Sequence, residues 1–169
     1  MTIDAILDEV LKAEGGFVDH PADKGQATNF GITLSTLSAW RKKECSAEDV
    51  KALTEAEARD IYQEQYFKAP GFNQLHSVLW PIVVDAAVNH GVSGAIKMLQ
   101  RAVRVKDDGV LGLETLTAAN LHPPKTLAAR FLAQRARKFG RIVTKDPTQA
   151  VFAEGWMNRL AKQMEENLT

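Results

Sequence analysis

One stretch of this chain departs from the helical pattern around it: Glu14-Gly15-Gly16-Phe17-Val18-Asp19-His20-Pro21-Ala22-Asp23-Lys24-Gly25-Gln26-Ala27-Thr28-Asn29-Phe30-Gly31-Ile32-Thr33. The apolar residues before it recur at the three-to-four spacing of one helix face: Ile3, Ile6, Leu7, Val10 and Leu11. Gly15 and Gly16 are typical C-terminal caps, because glycine enters left-handed backbone conformations without a Cβ clash. Pro21 then prevents an early return to helix. The sequence therefore predicts a helix that ends near Glu14.

The position of Glu14 favours a protonated carboxyl group. The negative end of a helix dipole disfavours a carboxylate by about 0.3–1 kcal/mol. A general acid at neutral pH also needs desolvation by apolar neighbours, for which Phe17, Phe30 and Ile32 are candidates. The alternative, for any Glu before two glycines, is an exposed helix-end residue without a special role.

Four pieces of the stretch together resemble the signature of glycoside hydrolase family 108: Glu14-Gly15-Gly16-Phe17-Val18, Pro21-Ala22-Asp23, Thr28-Asn29 and Gly31-Ile32-Thr33. The members are N-acetylmuramidases of the lysozyme-like superfamily, and they include phage endolysins and proteins once called secretion activators. The catalytic residue of the family is the Glu of its Glu-Gly-Gly motif. The resemblance therefore implies that Glu14 is catalytic.

A second resemblance, to phage-type lysozymes, suggests partners for Glu14. Those enzymes carry an Asp nine residues after the catalytic Glu and a Thr shortly after it. Asp23 has that spacing, Thr28 follows one residue earlier than in the usual pattern, and Asp19 is a rival carboxylate. Glycosidic cleavage needs an acid for the leaving oxygen and a second group that stabilises the oxocarbenium-like centre or directs water onto it. We expect Glu14 to be the acid, Asp23 the second group and Thr28 an orienting residue, with the stereochemical outcome left open.

The family resemblance also implies a set of substrate-binding residues along the chain. These are Thr33, Tyr66, Asn89, Gln100, Trp156, Asn158 and Arg159. Each has a structural alternative: Thr33 as the cap of the next helix, Tyr66 and Trp156 as packing residues, and Gln100 as an exposed surface residue. Asn89 lies four residues after Asp85 in an apolar helix, so this pair forms either a hydrogen-bonding device or the wall of a site.

A second motif occupies the later part of the chain. The run Asp108-Gly109-Val110-Leu111-Gly112-Leu113-Glu114-Thr115-Leu116 resembles the signature of peptidoglycan-binding modules, with Leu113 in place of the usual Pro. Its Asp and Gly either contact glycan or shape the turn. The helix predicted over residues 125–143 has a basic face that includes Arg135. Such a face approaches the anionic cell wall or, more often, is simply solvated.

The composition excludes several classes of protein. The 169 residues are 45% hydrophobic and 25% charged, which is typical of a globular chain. Lys and Arg total 21 and Asp and Glu total 21, so no bulk charge favours nucleic acid or anionic membranes. Cys45 is the single cysteine, so no internal disulfide forms, and we expect it to be a small buried residue. The scattered histidines indicate no metal site, and we expect no cofactor.

The N-terminal residues are acidic and amphipathic, without a basic leader or a long apolar run. We therefore expect neither a signal peptide nor stable membrane insertion. An endolysin of this kind would stay in the host cytoplasm until a holin or another non-signal route releases it to the cell wall.

Together, these features predict a mainly α-helical, lysozyme-like fold with one small β-hairpin near residues 17–33. We expect residues 1–79 to form the catalytic part and residues 80–169 a helical peptidoglycan-binding-type part, packed as one body with the cleft between them. The expected function is hydrolysis of the MurNAc–GlcNAc β-1,4 bond of peptidoglycan by a monomeric bacteriolytic enzyme. The alternatives are a non-enzymatic peptidoglycan-binding or secretion accessory protein, a lytic transglycosylase, and a chitin hydrolase.

Overall fold

The computed structural model of the chain describes residues 1–18 and 27–168. Over these residues it is mainly helical, with one small antiparallel sheet, which confirms the predicted fold class. The chain folds as two compact units, Thr2–Gln65 and Tyr66–Thr169. The predicted division after residue 79, with both parts packed as one body, stays a prediction.

The first unit contains four α-helices and a hairpin within the part of the chain that the structure describes. In chain order these are α1 (Ile3–Glu14), β1 (Thr28–Asn29), β2 (Ile32–Thr33), α2 (Leu34–Arg41), α3 (Ala47–Lys51) and α4 (Glu55–Gln63). A π-helical turn, Glu64–Lys68, follows α4. The predicted end of the first helix at Glu14 is confirmed.

Hydroxyl side chains fix the start of each of these four described helices. Thr2, Thr33 and Thr54 each accept a hydrogen bond from a backbone N–H in the first turn of α1, α2 and α4, respectively. Ser46 and Asp49 form a reciprocal capping box at the start of α3. Each cap satisfies a backbone donor that the helix leaves unpaired, which typically contributes about 1 kcal/mol.

The helices α1 and α4 pack against each other along their apolar faces. The buried side chains are Ile6, Leu7, Val10 and Leu11 on α1 and Ala58, Ile61 and Tyr62 on α4. Arg59 joins the exposed edge of this contact by an ion pair with Asp8. The packing fixes the end of α1, and therefore Glu14, relative to α4.

The hairpin turns through two residues with positive φ. Phe30 has φ 51° and Gly31 has φ 72°, between the paired residues Asn29 and Ile32. Two-residue hairpin loops of the type I′ kind need positive φ at both positions because that twist matches the flanking strands. Glycine adopts this conformation freely, whereas a bulky residue such as Phe30 is uncommon there.

Asn29 ties the hairpin to the end of α3. Its buried side-chain amide donates to the carbonyl oxygens of Val50, Lys51 and Leu53 at 3.1, 3.3 and 3.5 Å. The Val50 and Lys51 carbonyls belong to the last turn of α3, where the helix leaves carbonyl groups without an intrahelical partner, and Leu53 follows the helix. Nearby, Cys45 lies between α2 and α3 and is buried as predicted, with 8% exposure.

The second unit is a bundle of helices. After short 3₁₀ turns at Phe72–Gln74 and Ser77–Leu79 come α5 (Trp80–His90), α6 (Val92–Val103), α7 (Leu113–Asn120), α8 (Pro124–Lys145), a 3₁₀ segment (Pro147–Phe152) and α9 (Ala153–Leu168). Consecutive residues of α5, from Ile82 to Ala87, are all buried. A helix that is buried on all sides in this way is central to its unit.

A buried carboxylate, Asp85, links three of these helices. It forms ion pairs with Arg135 on α8 and Arg159 on α9. Gln163, also on α9, accepts from Arg135 Nη1 at 2.7 Å. The expectation of a solvated basic face on α8 is wrong for Arg135, which is only 1% exposed because its guanidinium is paired with Asp85 in the core.

The electrostatics of this cluster follow from burial and pairing. Burial raises the pKa of Asp85, but the two guanidinium groups outweigh it and hold that pKa below its ordinary value. Asp85 is therefore ionised in the folded unit. The Arg135 guanidinium also lies 5.5 Å from the centre of the Phe139 ring, within cation–π distance.

Within the ranges 1–18 and 27–168, no helix combines the length and the apolar character needed to cross a bilayer. The same residues bring no three metal-ligating side chains of the His, Cys, Asp or Glu type together.

Replacing Asp85 by Asn is expected to lower the free energy of unfolding of the second unit by about 3–5 kcal/mol, because it leaves the buried cation of Arg135 unpaired. Urea unfolding followed by the amide NMR signals of α8 measures this change. Asp107→Asn is the matched control, since its exposed ion pair with Arg101 at 2.7 Å contributes about 0–1 kcal/mol. Equal effects of the two substitutions would contradict the role given to Asp85.

The stability of the second unit is also expected to fall as the pH drops from 6.5 towards 4. Burial first, then Arg135 and Lys138, lower the pKa of His90 from 6.5 to about 4. The folded unit therefore binds this proton less readily than the unfolded chain. The contribution of neutral His90 to the free energy of unfolding is fully present above about pH 6.5 and is lost as the pH falls through the pKa of the folded state.

The same urea measurement, repeated between pH 7 and 4.5, tests this dependence. The loss of stability over this range should be smaller in His90→Gln than in the wild type. An identical pH dependence in both proteins would show that His90 does not cause it.

Candidate active site

The first unit places the carboxyl group of Glu14 directly against the hairpin turn. Glu14 is the last residue of α1, and Gly15 leaves the helix with φ 77°. A Cβ atom added to Gly31 would lie 2.8 Å from Glu14 Oε2 and 3.3 Å from Glu14 Cβ. Only glycine leaves room for the Glu14 side chain at this position.

Tyr62, on α4, reaches the same point from the other side. The added Cβ on Gly31 would lie 2.6 Å from the Tyr62 hydroxyl oxygen. That hydroxyl donates to the carbonyl oxygen of Phe30 at 2.9 Å, and the residue is only 2% exposed. The end of α1, the turn and α4 therefore meet at Gly31, with one oxygen of Glu14 and the Tyr62 oxygen both close to its α-carbon.

The surroundings of Glu14 combine apolar and open parts. Glu14 itself is exposed, so its carboxyl group is accessible to a substrate. Of the apolar neighbours that the sequence suggested, Ile32 is buried, Phe30 is half-buried and Phe17 is 37% exposed. The Lys51 ammonium lies 5.9 Å from the centre of the Phe17 ring.

A groove of about 330 Å³ lies beside this turn, in the size range of ligand pockets. Its lining is Asp8, Leu11, Lys12, Gly15, Phe30 and Glu55. The lining includes Gly15, which directly follows Glu14, and Phe30, which directly precedes Gly31. It combines the apolar side chains of Leu11 and Phe30 with three charged groups.

The other predicted catalytic residues have different positions. Asp23 and its rival Asp19 lie outside the described residues. Thr28 is half-buried in β1, where its backbone N–H and carbonyl bond to Val18 at 2.9 and 2.8 Å. Thr28 therefore lies on the same hairpin as Gly31.

Thr33 caps α2, which is the structural alternative that the sequence offered. Its hydroxyl accepts from the backbone N–H of Thr36 at 3.2 Å and lies 2.9 Å from the hydroxyl groups of Ser35 and Thr36. The cap is confirmed, and a sugar contact by Thr33 stays a prediction.

In the second unit, Gln100 organises the turn before α7. The structural alternative of an exposed glutamine is wrong, since Gln100 is 1% exposed, and a glycan contact by Gln100 stays a prediction. Its amide nitrogen donates to Asp108 Oδ1 at 2.7 Å, to the Val110 carbonyl at 2.9 Å and to Thr115 Oγ1 at 3.2 Å, while its Oε1 accepts from Gly109 N–H at 2.9 Å. Asp108 and Gly109, with φ 83° at the glycine, thus shape the turn.

The aromatic candidates of the second unit are partly accessible. Tyr66 is half-buried in the π-helical turn. Trp156 is half-buried, stacks on Phe139 with ring centres 5.0 Å apart, and lies 6.0 Å from the 54% exposed ring of Phe152. One face of the Trp156 ring is therefore committed to packing.

The polar candidates differ in how much of their hydrogen-bonding capacity is used inside the unit. Asn89 is exposed, and its amide nitrogen donates to the Asp85 carbonyl at 2.8 Å. Arg159 donates from Nε to Asp85 Oδ1 at 2.8 Å, so its guanidinium belongs to the buried ionic cluster. Asn158 is exposed on α9. Glycan contacts by these three residues stay predictions.

Sequence reasoning missed the contact of Tyr62 with the turn. Helical spacing can place Tyr62 on the buried face of α4, but it does not show the distant carbonyl that its hydroxyl meets. The sequence also did not indicate the positive φ of Phe30, since glycine and asparagine are the residues that normally mark such turns.

Comparison with known proteins agrees with these features. Residues 7–91 match the family model described as Glycosyl hydrolase 108, and residues 94–161 match the model described as Predicted Peptidoglycan domain. A structure of Brucella abortus SagA is similar to this chain, with a TM-score of 0.81 and 36% sequence identity over 98% of this chain and 93% of that one. No curated protein matches the chain. These matches confirm the resemblance of residues 14–33 to glycoside hydrolase family 108 and that of residues 108–116 to peptidoglycan-binding modules.

Gly31→Ala is expected to destabilise the first unit by about 1–3 kcal/mol. The new methyl group would meet two oxygen atoms within 3 Å, and an L-residue with φ 72° is strained. Urea unfolding followed by the amide signals of α1 and α4 measures the loss. In the control Gly16→Ala, the added Cβ has no neighbour within 4 Å, so stability should change by less than about 0.5 kcal/mol. Equal effects would argue against close packing at Gly31.

Proposed function

The chain belongs to the glycosyl hydrolase 108 family, and we propose that it hydrolyses the MurNAc–GlcNAc β-1,4 bond of peptidoglycan with Glu14 as the general acid. The observation that carries this proposal is the position of the Glu14 carboxyl group. Glu14 is exposed at the end of α1, its carboxyl group lies close to Gly31, and the next residue, Gly15, lines a groove of ligand size.

The proposed chemistry follows from this position. The negative end of the α1 dipole favours the protonated carboxyl group, which can then donate its proton to the leaving glycosidic oxygen. Asp23 would stabilise the oxocarbenium-like centre or direct a water molecule onto it, and Thr28 would orient that water. Thr28 lies on the hairpin that carries Gly31, which supports a role close to Glu14.

Peptidoglycan as the partner is indicated by the second matched family as well, which covers most of the second unit. We propose that this unit holds the glycan strand through the exposed or half-buried side chains of Tyr66, Asn89, Trp156 and Asn158. We further propose that cleavage serves bacteriolysis after release from the cytoplasm, as in the phage endolysins that the signature resembles.

Mass spectrometry of the fragments released from purified peptidoglycan tests the proposal. We expect the wild type to release fragments with reducing-end MurNAc, and Glu14→Gln to be slower by about 10²–10⁴-fold because it lacks only the acid. Glu44→Gln, the same substitution at another exposed carboxylate of the first unit, is the matched control and should keep the wild-type rate.

Other products would identify the alternative functions. Fragments with 1,6-anhydro ends would indicate a lytic transglycosylase, which needs the same acid. Binding to peptidoglycan without any release would indicate an accessory protein. Cleavage that persists in Glu14→Gln would remove Glu14 from the mechanism while leaving the hydrolase activity in place.

A further inference from the structure

The charges of the chain are divided unevenly between its two units. The first unit, Thr2–Gln65, contains 13 Asp and Glu against 7 Lys and Arg. The second unit, Tyr66–Thr169, contains 14 Lys and Arg against 8 Asp and Glu. The second unit therefore has a net charge of +6, although the charges of the whole chain balance.

Helix α8 carries much of this excess. Its 22 residues include seven Lys or Arg and no Asp or Glu. One of the seven, Arg135, is paired with Asp85 in the core. Five of the others lie within about 100° of one another around the helix axis. These five form the cationic row of α8: Arg130, Arg137, Lys138, Arg141 and Lys145.

The cationic row is accessible and rigidly held. Four of its side chains are exposed, and Lys138 is half-buried. The opposite, apolar side of α8 packs inside the unit, where Leu127, Phe131 and Phe139 are buried. At about 1.5 Å per residue, the row is about 22 Å long. The second unit thus presents a straight line of positive charge on a helix that is fixed by its core.

The row has cationic neighbours and no carboxylate partner among the described residues. Burial first, and then Arg101 and Arg141, lower the pKa of Lys138. A Cβ added to Gly94 would lie 3.7 Å from Lys138 Nζ, so the row reaches the surface of α6. Arg101 on α6 is paired with Asp107 at 2.7 Å, whereas the five cations of the row form no ion pair within the described ranges. An anionic ligand would relieve the repulsion between these like charges.

The surroundings of the row fit acidic groups on a polar chain. A basic helix that enters a membrane interface needs a free apolar face, and the apolar face of α8 is buried in the unit. Binding of single-stranded nucleic acid uses exposed aromatic side chains as stacking platforms, and both aromatic residues of α8, Phe131 and Phe139, are buried. The exposed residues between the cations, such as Gly140 and Thr144, are small.

The peptide stems of peptidoglycan supply acidic groups of this kind. All of α8 lies within residues 94–161, which match the model described as Predicted Peptidoglycan domain. The stems carry free carboxylates, whereas the sugars that bear them are uncharged. Three of the five cations are arginines, which pair with carboxylates through two parallel hydrogen bonds. A row of this length can meet more than one stem.

We propose that the cationic row of α8 binds the carboxylates of the peptide stems of peptidoglycan. This inference rests on the proposed function, since it names the part of the same substrate that the second unit takes. The row attracts the acidic polymer from solution and holds it by exposed ion pairs, so binding weakens as salt rises.

The first test measures affinity by cosedimentation with purified, insoluble peptidoglycan. All proteins carry Glu14→Gln, so that cleavage does not release bound protein, and this variant is the parent. In Arg130→Gln/Arg137→Gln/Arg141→Gln, the α8 triple variant, we expect Kd to rise about tenfold at low salt because three arginine–carboxylate contacts are lost. An unchanged Kd would overturn the proposal.

The matched control removes the same charge from exposed positions outside α8. It is Lys42→Gln/Lys43→Gln/Lys68→Gln, and its Kd should stay within about twofold of that of the parent because screening limits the effect of distant charges. Equal weakening by both triple variants would show that only net charge matters, which would overturn the proposal.

The second test changes the ligand. Carbodiimide coupling to ammonia converts the stem carboxylates to amides and leaves sugars and peptides in place. We expect the parent to bind amidated peptidoglycan about tenfold more weakly than untreated peptidoglycan, and the α8 triple variant to bind both equally. Equal binding of the parent to both materials would overturn the proposal.

Hydrofluoric acid distinguishes the stems from another source of negative charge, because it removes polymers that are attached through phosphodiester bonds. Peptidoglycan treated in this way should bind the parent as well as untreated material does. A loss of affinity on this treatment that matches the loss in the α8 triple variant would assign the row to phosphate groups and overturn the proposal.

The two proposals can fail separately. If the wild type releases no fragments but affinity depends on the row and on the stem carboxylates, the hydrolase function is wrong and the role of the row stands. If the wild type cleaves peptidoglycan but the α8 triple variant binds like the parent, the hydrolase function stands and the role of the row is wrong. Circular dichroism spectra and melting temperatures establish that each variant is folded.

Discussion

The close approach at Gly31 is the constraint on which the first unit depends. A helix end, a hairpin turn and a second helix converge on the α-carbon of Gly31, and each of the two helices supplies a group that a side chain there would meet. The remaining contacts of the unit maintain this convergence. Asn29 fixes the hairpin to α3, Thr33 starts α2 directly from β2, and the apolar faces of α1 and α4 hold the two helices in register.

The second unit is organised around the buried charge of Asp85, whereas the first depends on the missing side chain of Gly31. Asp85 stands in the most apolar helix of the chain and is balanced by guanidinium groups from two other helices. Ion pairs of this kind add little net stability over apolar packing, but they penalise any arrangement in which one partner is missing. The cluster therefore specifies how α5, α8 and α9 pair, and the Phe139–Trp156 stack extends from it towards the surface.

The sequence predicted the fold class, the end of α1 and the Thr33 cap of α2, because each of these depends on local spacing and on residue types with strong backbone preferences. It did not predict contacts that depend on tertiary distance. Arg135 looked like one of several basic residues on a solvated face, and Gln100 looked like a surface amide. Both side chains are buried against their partners. Asp85, the partner of Arg135, lies on another helix, and Asp108, the partner of Gln100, lies beyond the end of α6, so the spacing within one helix does not reveal either contact. The position of Glu14 was predictable from Gly15 and Gly16, whereas its contact with Gly31 needed the folded hairpin.

Alkylation of Cys45 can report local unfolding of the first unit separately from that of the second. The only thiol of the sequence is buried in the first unit, and the second unit has none. An alkylating reagent can reach this sulfur only when the segment between α2 and α3 opens. The rate of labelling in the intact chain therefore follows local unfolding of the unit that carries Glu14 and is insensitive to openings confined to the other. A glycan fragment that binds near Glu14 would slow that labelling through mass action alone, even if it were never cleaved.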